Sequence, residues 1–250
     1  MFKQRSHETH HNTHVPEIEA NPGEYTVAVL GDSLFGRFKT TGKFVSVEPS
    51  ADEMFKLRSH QTHHDTHVPQ IKNNPGQYTT ATLGASDVER FKVTGRILSI
   101  NEDSRILNLG VGGDKILNVQ YRMDQGLVRL LKQHQPNIKT MYIHMGSNNL
   151  KKQGLLKGDA DAYGALIKQL RTEFPDITIV ITALFIQRGL GLDVIEDANN
   201  KLKAIADENE CEFLPFGDDQ AGIMSEDNVH LNEFGYRKWN EILVNDMNNH

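Results

Sequence analysis

The sequence predicts an α/β fold in which helices cover both faces of a parallel sheet, with a duplicated segment at the N-terminus. Three observations carry this. From residue 105 onward, short apolar runs alternate with longer amphipathic stretches. The runs are apolar on both faces, as strands covered on both sides must be. The residues able to do chemistry fall in the loops that follow the runs or open the helices, and in parallel sheets those loops, at the carboxyl ends of the strands, hold the ligand.

Taken in order, the first feature is the repeat. Residues 1–47 recur at 54–100 with a constant offset of 53 and no gaps. Two copies are too few for a solenoid. Each copy opens with a polar, histidine-rich lead-in (residues 1–24 and 54–77) that closes on Asn-Pro-Gly, a turn signal placed immediately before a strand. These lead-ins read as solvated segments outside the core. Downstream, residues 105–109 read as strand, 115–134 as helix, 138–145 as strand and 159–174 as helix. The alternation continues with strand 177–184, helix 194–210, short strand 212–214 and a final helix at 232–247. The organisation expected is therefore a first copy (1–53) that supplies the central strand, a second and partly decayed copy (54–100), and the remainder of a single domain (101–250).

Composition narrows the partners. A hydrophobic content of 38% over 250 residues suffices for a packed core. The formal net charge of -6, with acids and bases interspersed, carries no footprint for nucleic acid or a membrane surface. The single cysteine, Cys211, excludes an internal disulfide, and the opening Met-Phe-Lys-Gln-Arg-Ser-His lacks the apolar segment of a secretion signal. The longest apolar-rich run, 177–186, is about half of what a bilayer requires. The expectation is a cytoplasmic protein with a small-molecule partner, no nucleic acid and no membrane span.

Four short elements then occur in order: Gly31-Asp32-Ser33-Leu34 with its altered echo Gly84-Ala85-Ser86-Asp87; the run Asn108 to Asp114, which contains Gly112-Gly113; Gly146-Ser147-Asn148-Asn149; and Asp227-Asn228-Val229-His230. Acyl transfer needs a nucleophile, a base, a group to orient that base, and donors for the developing oxyanion. Ser33 or Ser86 fits the first role, His230 the second and Asp227 the third. The serine amide, the amide of Gly113 and the side-chain amide of Asn148 fit the fourth.

These four blocks resemble the SGNH, or GDSL-type, hydrolase family over roughly residues 25–245. The run through Gly113 and the Gly-Ser-Asn-Asn turn look most like its platelet-activating-factor acetylhydrolase branch. The resemblance implies a three-layer α/β/α, flavodoxin-like sandwich and hydrolysis of short acyl esters, acetyl esters above all, with no metal and no cofactor.

Which serine works is a contest between spacing and side-chain chemistry. Ser86 lies 27 residues before Gly113, the distance of one strand, one helix and the next strand, whereas Ser33 lies 80 before it. The longer connection costs only about 1 kcal/mol in loop entropy. Against this, Val27 and Val29 of copy one become Thr80 and Thr82, and a buried hydroxyl without a good partner costs roughly 1–3 kcal/mol. The turn changes as well, since Asp32 becomes Ala85 and Leu34 becomes Asp87. The balance places copy one in the central slot with Ser33 as nucleophile, and Ser86 as the alternative. The extra copy also offers an unpaired strand edge, a route to a homo-oligomer.

The histidines of the lead-ins, His7, His10, His11 and His14 and again His60, His63, His64 and His67, share a helical face if helical. Their polar context reads as solvated, so no metal site is assigned to them. His144 falls in an apolar strand and reads as a hydrogen-bonded core residue.

Overall fold

Five parallel strands form one sheet: β1 (Thr80–Gly84), β2 (Ile106–Gly110), β3 (Thr140–His144), β4 (Thr178–Thr182) and β5 (Glu212–Leu214), in the order β2-β1-β3-β4-β5. The computed structural model describes residues 15–16, 54–187, 189–217 and 219–250. The chain divides into two units, Met1–Glu48 and Pro49–His250, and the sheet belongs to the second.

The helices follow in chain order. α1 (Leu57–Thr62) and α2 (Val68–Asn73) flank a π-helical turn at His63–His67. α3 (Ser86–Glu89) and α4 (Ser99–Glu102) are short. α5 (Ile116–Arg122) and α6 (Val128–His134) flank a second π-helical turn, Met123–Leu127. The long helices are α7 (Lys157–Glu173), α8 (Leu192–Glu208) and α9 (Glu233–Met247).

Because strand side chains alternate between faces, each strand feeds two cores. Ala81, Leu83, Leu107, Leu109, Met141, Ile143, Ile179 and Ile181 pack with apolar residues of α2, α5, α6, α7 and α8 on one side. Tyr142 and Val180 point the other way, into a cluster with Val88, Phe91, Tyr236, Trp239 and Leu243. This is the three-layer α/β/α architecture expected from the sequence. The register sets Gly84 beside both Gly110 and His144, so the three adjacent strands β2, β1 and β3 end flush.

Three local expectations are corrected. First, the central slot between β2 and β3 is filled by the second copy, through Thr80–Gly84. The threonines are accommodated: Thr80 is only partly buried, and the buried Thr82 hydroxyl lies 3.5 Å from the Leu107 carbonyl of the neighbouring strand. Ser33, the nucleophile favoured by sequence, lies outside the described residues.

Second, the histidine-rich lead-in of copy two is helical and packs inward. Ser59, His63, His67 and Ile71, spaced by four on one helical face, are all fully buried. Only one of the four is apolar, so hydropathy concealed the face. Desolvation, reinforced by His64 and the Arg122 guanidinium, lowers the His63 pKa to about 4. Desolvation and Arg122 lower His67 to about 2. Both rings are thus neutral in the fold and pack largely as aromatic surface.

Third, the helix expected at 115–134 is broken in the middle. Gly126 adopts φ 97°, a conformation that ends one helical stretch and starts the next.

Candidate active site

The turn that carries Ser86 is built where β1 ends. At Gly84 a Cβ would overlap the carbonyl of His144 and the side chain of Val88, so only glycine allows this close approach. Ala85 then turns the chain (φ -101°, ψ -143°) and Ser86 opens α3. From α9, the Tyr236 hydroxyl donates to the Asp87 carbonyl at 2.8 Å and ties the last helix to this turn.

The candidate base, His230, sits on a hairpin-like loop. Met224 and Leu231 pair across it, and the Ser225 N–H donates to the His230 carbonyl at 2.8 Å. Asn228 takes φ 51°, a left-handed conformation that asparagine tolerates better than most residues. Inside the loop, Asp227 Oδ1 accepts from the Val229 N–H (2.9 Å), the His230 N–H (3.0 Å) and the Ser225 hydroxyl (2.7 Å). Its Oδ2 meets His230 Nδ1 at 2.7 Å, and His230 Nε2 meets Ser86 Oγ at 3.0 Å. Desolvation acts to raise the Asp227 pKa, but the His230 ring and backbone, Val229 and Ser225 overcome it and hold the carboxyl below the ordinary range. A carboxylate only accepts, so Nδ1 carries the ring proton and Nε2 is left to accept from the Ser86 hydroxyl. This arrangement can take a proton from Ser86 and return it to a leaving group.

The flanking strands supply the other candidates. Gly113 follows β2 with φ 73°, and its N–H has no acceptor among the described residues. Asn148 follows β3 and donates through Nδ2 to the Asp114 carbonyl at 3.0 Å, with one amide hydrogen left over. Asn149 accepts from the Ile116 N–H at 3.1 Å and donates to Asp159 at 2.6 Å, fastening this loop to α5 and α7. Thus Ser86, His230 and Asp227 form one hydrogen-bonded line, and Gly113 and Asn148 sit on the loops after the two neighbouring strands, both next to Asp114.

Sequence reading missed the supports beneath these loops. Asp114, with a fully buried side chain, lies 3.2 Å from Arg122 Nε, and its Oδ2 accepts from Ser59 Oγ at 2.9 Å. Arg122, fully buried as well, donates to the Leu109 carbonyl at 2.8 Å. The signal lay in the lead-in, whose Ser59 belongs to the polar stretch read as solvated. A second omission is Asp87, buried beside the serine with its Oδ2 3.6 Å from His144 Nε2. His144 is the buried, hydrogen-bonded strand residue expected, with Nδ1 2.8 Å from Thr182 Oγ1.

Among the described residues, Glu212, Asp246 and His250 are the one group of three whose possible metal-ligating atoms lie within 4.8 Å of one another. They gather at the start of β5, away from the site, and Asp246 already accepts from the Tyr142 hydroxyl at 2.7 Å. No described helix is long and apolar enough to cross a membrane.

Comparison with known proteins gives the family and the fold. No curated protein matches the chain. Among solved structures, a GDSL-like lipase from Bacteroides thetaiotaomicron is 14% identical with a TM-score of 0.59, covering 77% of this chain and 98% of its own. The psychrotrophic esterase EstA from Pseudoalteromonas sp., in a structure inhibited by monoethylphosphonate, is 16% identical with a TM-score of 0.54, covering 68% of this chain and 96% of its own. A carbohydrate acetylesterase family member from Sinorhizobium meliloti is 18% identical with a TM-score of 0.51, covering 68% of this chain and 97% of its own. At such identities the likeness is one of fold. The family-level match is in the sequence itself: the description of the GDSL-like lipase/acylhydrolase family fits residues 79–238, from the start of β1 into α9. With well over half of its length matched, the chain belongs to the GDSL-like lipase/acylhydrolase family and is an ester hydrolase.

Proposed function

We propose that the chain hydrolyses small carboxylic esters, acetyl esters foremost, through an acyl-serine on Ser86. The observation that carries this is the unbroken line from Asp227 through His230 to Ser86, at 2.7 and 3.0 Å. Ser86 Oγ attacks the ester carbonyl while His230 Nε2 takes its proton. The tetrahedral oxyanion is met by the amides of Ser86 and Gly113 and the free hydrogen of Asn148 Nδ2. Collapse breaks the bond to the alkoxy oxygen, which leaves as the alcohol with the proton from His230. Water then attacks the acyl-serine and gives its proton to His230; collapse breaks the bond to Ser86 Oγ, which takes that proton back from His230 Nε2 as the carboxylic acid leaves. Asp227 keeps Nδ1 protonated and steadies the imidazolium formed in each half-reaction.

The preference for acetyl esters draws on the platelet-activating-factor acetylhydrolase likeness of the second and third blocks and on the acetylesterase fold neighbour. The serine chemistry draws further on the phosphonate-inhibited esterase of the same fold. Hydrolysis of 4-nitrophenyl acetate by the parent, Ser86→Ala and Ser33→Ala tests the assignment. Loss of at least about a thousandfold in Ser86→Ala is expected. The same loss in Ser33→Ala, with Ser86→Ala fully active, would transfer the role to copy one.

A further inference from the structure

The peptide unit between Gly112 and Gly113 faces two ways. Its N–H is the Gly113 donor, free of any acceptor among the described residues. Its carbonyl accepts from Lys56 Nζ at 2.7 Å, a contact that reaches across 56 residues from the start of the copy-two lead-in. Lys56 is half-buried and is held in place by Asp114 Oδ1 at 3.3 Å. Asp114 in turn is fixed by Arg122 and Ser59. On the other side of the turn, a Cβ on Gly112 would stand 2.7 Å from Glu89 Oε2 and 3.0 Å from Arg58, whose side chains are paired with each other at 2.8 Å.

A trans peptide is planar, with its C=O and N–H pointing in opposite directions, so fixing the carbonyl fixes the direction of the N–H. Two adjacent glycines, one at φ 73°, give the plane little preference of its own. A flipped plane would present a carbonyl oxygen to the oxyanion in place of a donor. An ammonium on the carbonyl also draws electron density away from the amide and strengthens the N–H as a donor, as chains of hydrogen bonds do.

We propose that Lys56 is a positioning residue for ester hydrolysis, holding and polarising the Gly112–Gly113 peptide so that Gly113 N–H meets the oxyanion. The proposal rests on the reading that Ser86 is the nucleophile and Gly113 an oxyanion donor. Lys56 touches no reacting atom and acts through the peptide it binds.

The test uses the full chain with 4-nitrophenyl acetate, measuring kcat and KM separately for the parent, Lys56→Met, Lys56→Arg, Ser59→Ala and Ser86→Ala, with folding checked by thermal unfolding. Lys56→Met is expected to lower kcat by about ten- to a hundredfold with KM within about twofold, since one supporting contact to one oxyanion donor is lost. Lys56→Arg should recover most of kcat. Ser59→Ala removes one of the contacts that fix Asp114 and so only loosens Lys56, which keeps its own bond to the Gly112 carbonyl; it should lower kcat by less than Lys56→Met does. Unchanged kcat in Lys56→Met, a loss seen in KM instead, or an equal loss in Ser59→Ala would overturn the proposal. If Lys56→Met does not fold, Lys56→Gln is read by the same criteria. A fully active Ser86→Ala would defeat the underlying reading; an inactive Ser86→Ala beside a fully active Lys56→Met would defeat only the role of Lys56.

Discussion

Two aspartate–histidine pairs flank the same serine, and they differ in what their imidazoles can reach. Asp227 and His230 are 2.7 Å apart, with side chains 43% and 18% exposed, and the second ring nitrogen reaches the Ser86 hydroxyl. Asp87 and His144 are 3.6 Å apart and 3% and 2% exposed, and the second ring nitrogen is spent on Thr182. His144 is walled in by the rings of Phe185 and Trp239, each with its centroid 4.7 Å away. The residue types are the same in both pairs. The proposed proton transfer falls to the pair whose free nitrogen faces a hydroxyl and whose carboxylate is fixed by hydrogen bonds to its own loop.

Replacing the outer pair should therefore abolish activity, and replacing the inner pair should loosen the fold. The largest expected effect is that of Asp227→Asn, which removes the acceptor that enforces the Nδ1 proton and should reduce kcat by about ten thousandfold. Steady-state kinetics on a short ester would register this, with thermal unfolding near that of the parent. His144→Gln is expected to act the other way, keeping kcat within about tenfold while costing about 1–3 kcal/mol through a buried polar group left without its partner. Denaturant titration measures that cost, and a collapse of kcat in the folded variant would erase the distinction between the pairs. Smaller still is His230→Gln, for which stability should stay within about 1 kcal/mol of the parent because the ring is partly solvated and its loop is held by Asp227 and the backbone.

The buried histidines of the lead-in make a prediction about pH. Their folded pKa values, about 4 for His63 and about 2 for His67, lie below the ordinary 6.5. Between those values and 6.5 the unfolded chain binds protons that the folded chain excludes, so their contribution is complete above 6.5 and stability falls as pH drops below it. The expected slope is on the order of 1 kcal/mol per pH unit for each histidine while its unfolded form is charged. Urea titrations at pH 7.5 and 5 would measure the fall, and a His63→Phe, His67→Phe double variant should show a shallower one.

Much of the fold was legible in the sequence. From residue 105 onward the observed strands fall within two residues of the apolar runs that announced them, because a strand buried on both faces has few polar positions to blur its limits. The blocks that fall at the ends of the observed strands were legible for the same reason. The occupancy of the central slot was not. Val27 and Val29 looked better buried than Thr80 and Thr82, yet Thr82 has a strand carbonyl within reach, and a sequence does not show such a partner. The lead-in was missed because its inward face is Ser59, His63, His67 and Ile71, a pattern that becomes a core face only when histidine is neutral. Lys56 was invisible for a further reason: its partner is a backbone carbonyl, and backbone atoms carry no residue signature.

The contact between His230 and Ser86 spans 144 positions of chain. During synthesis from the N-terminus, the serine, the glycine loop after β2 and the asparagine after β3 all leave the ribosome long before the histidine does. A nascent chain therefore carries Ser86 before His230 can reach it. On the proposed assignment, esterase activity begins only when the final loop docks with α9 behind it, so the appearance of turnover during translation would report completion of the domain, not the formation of its sheet.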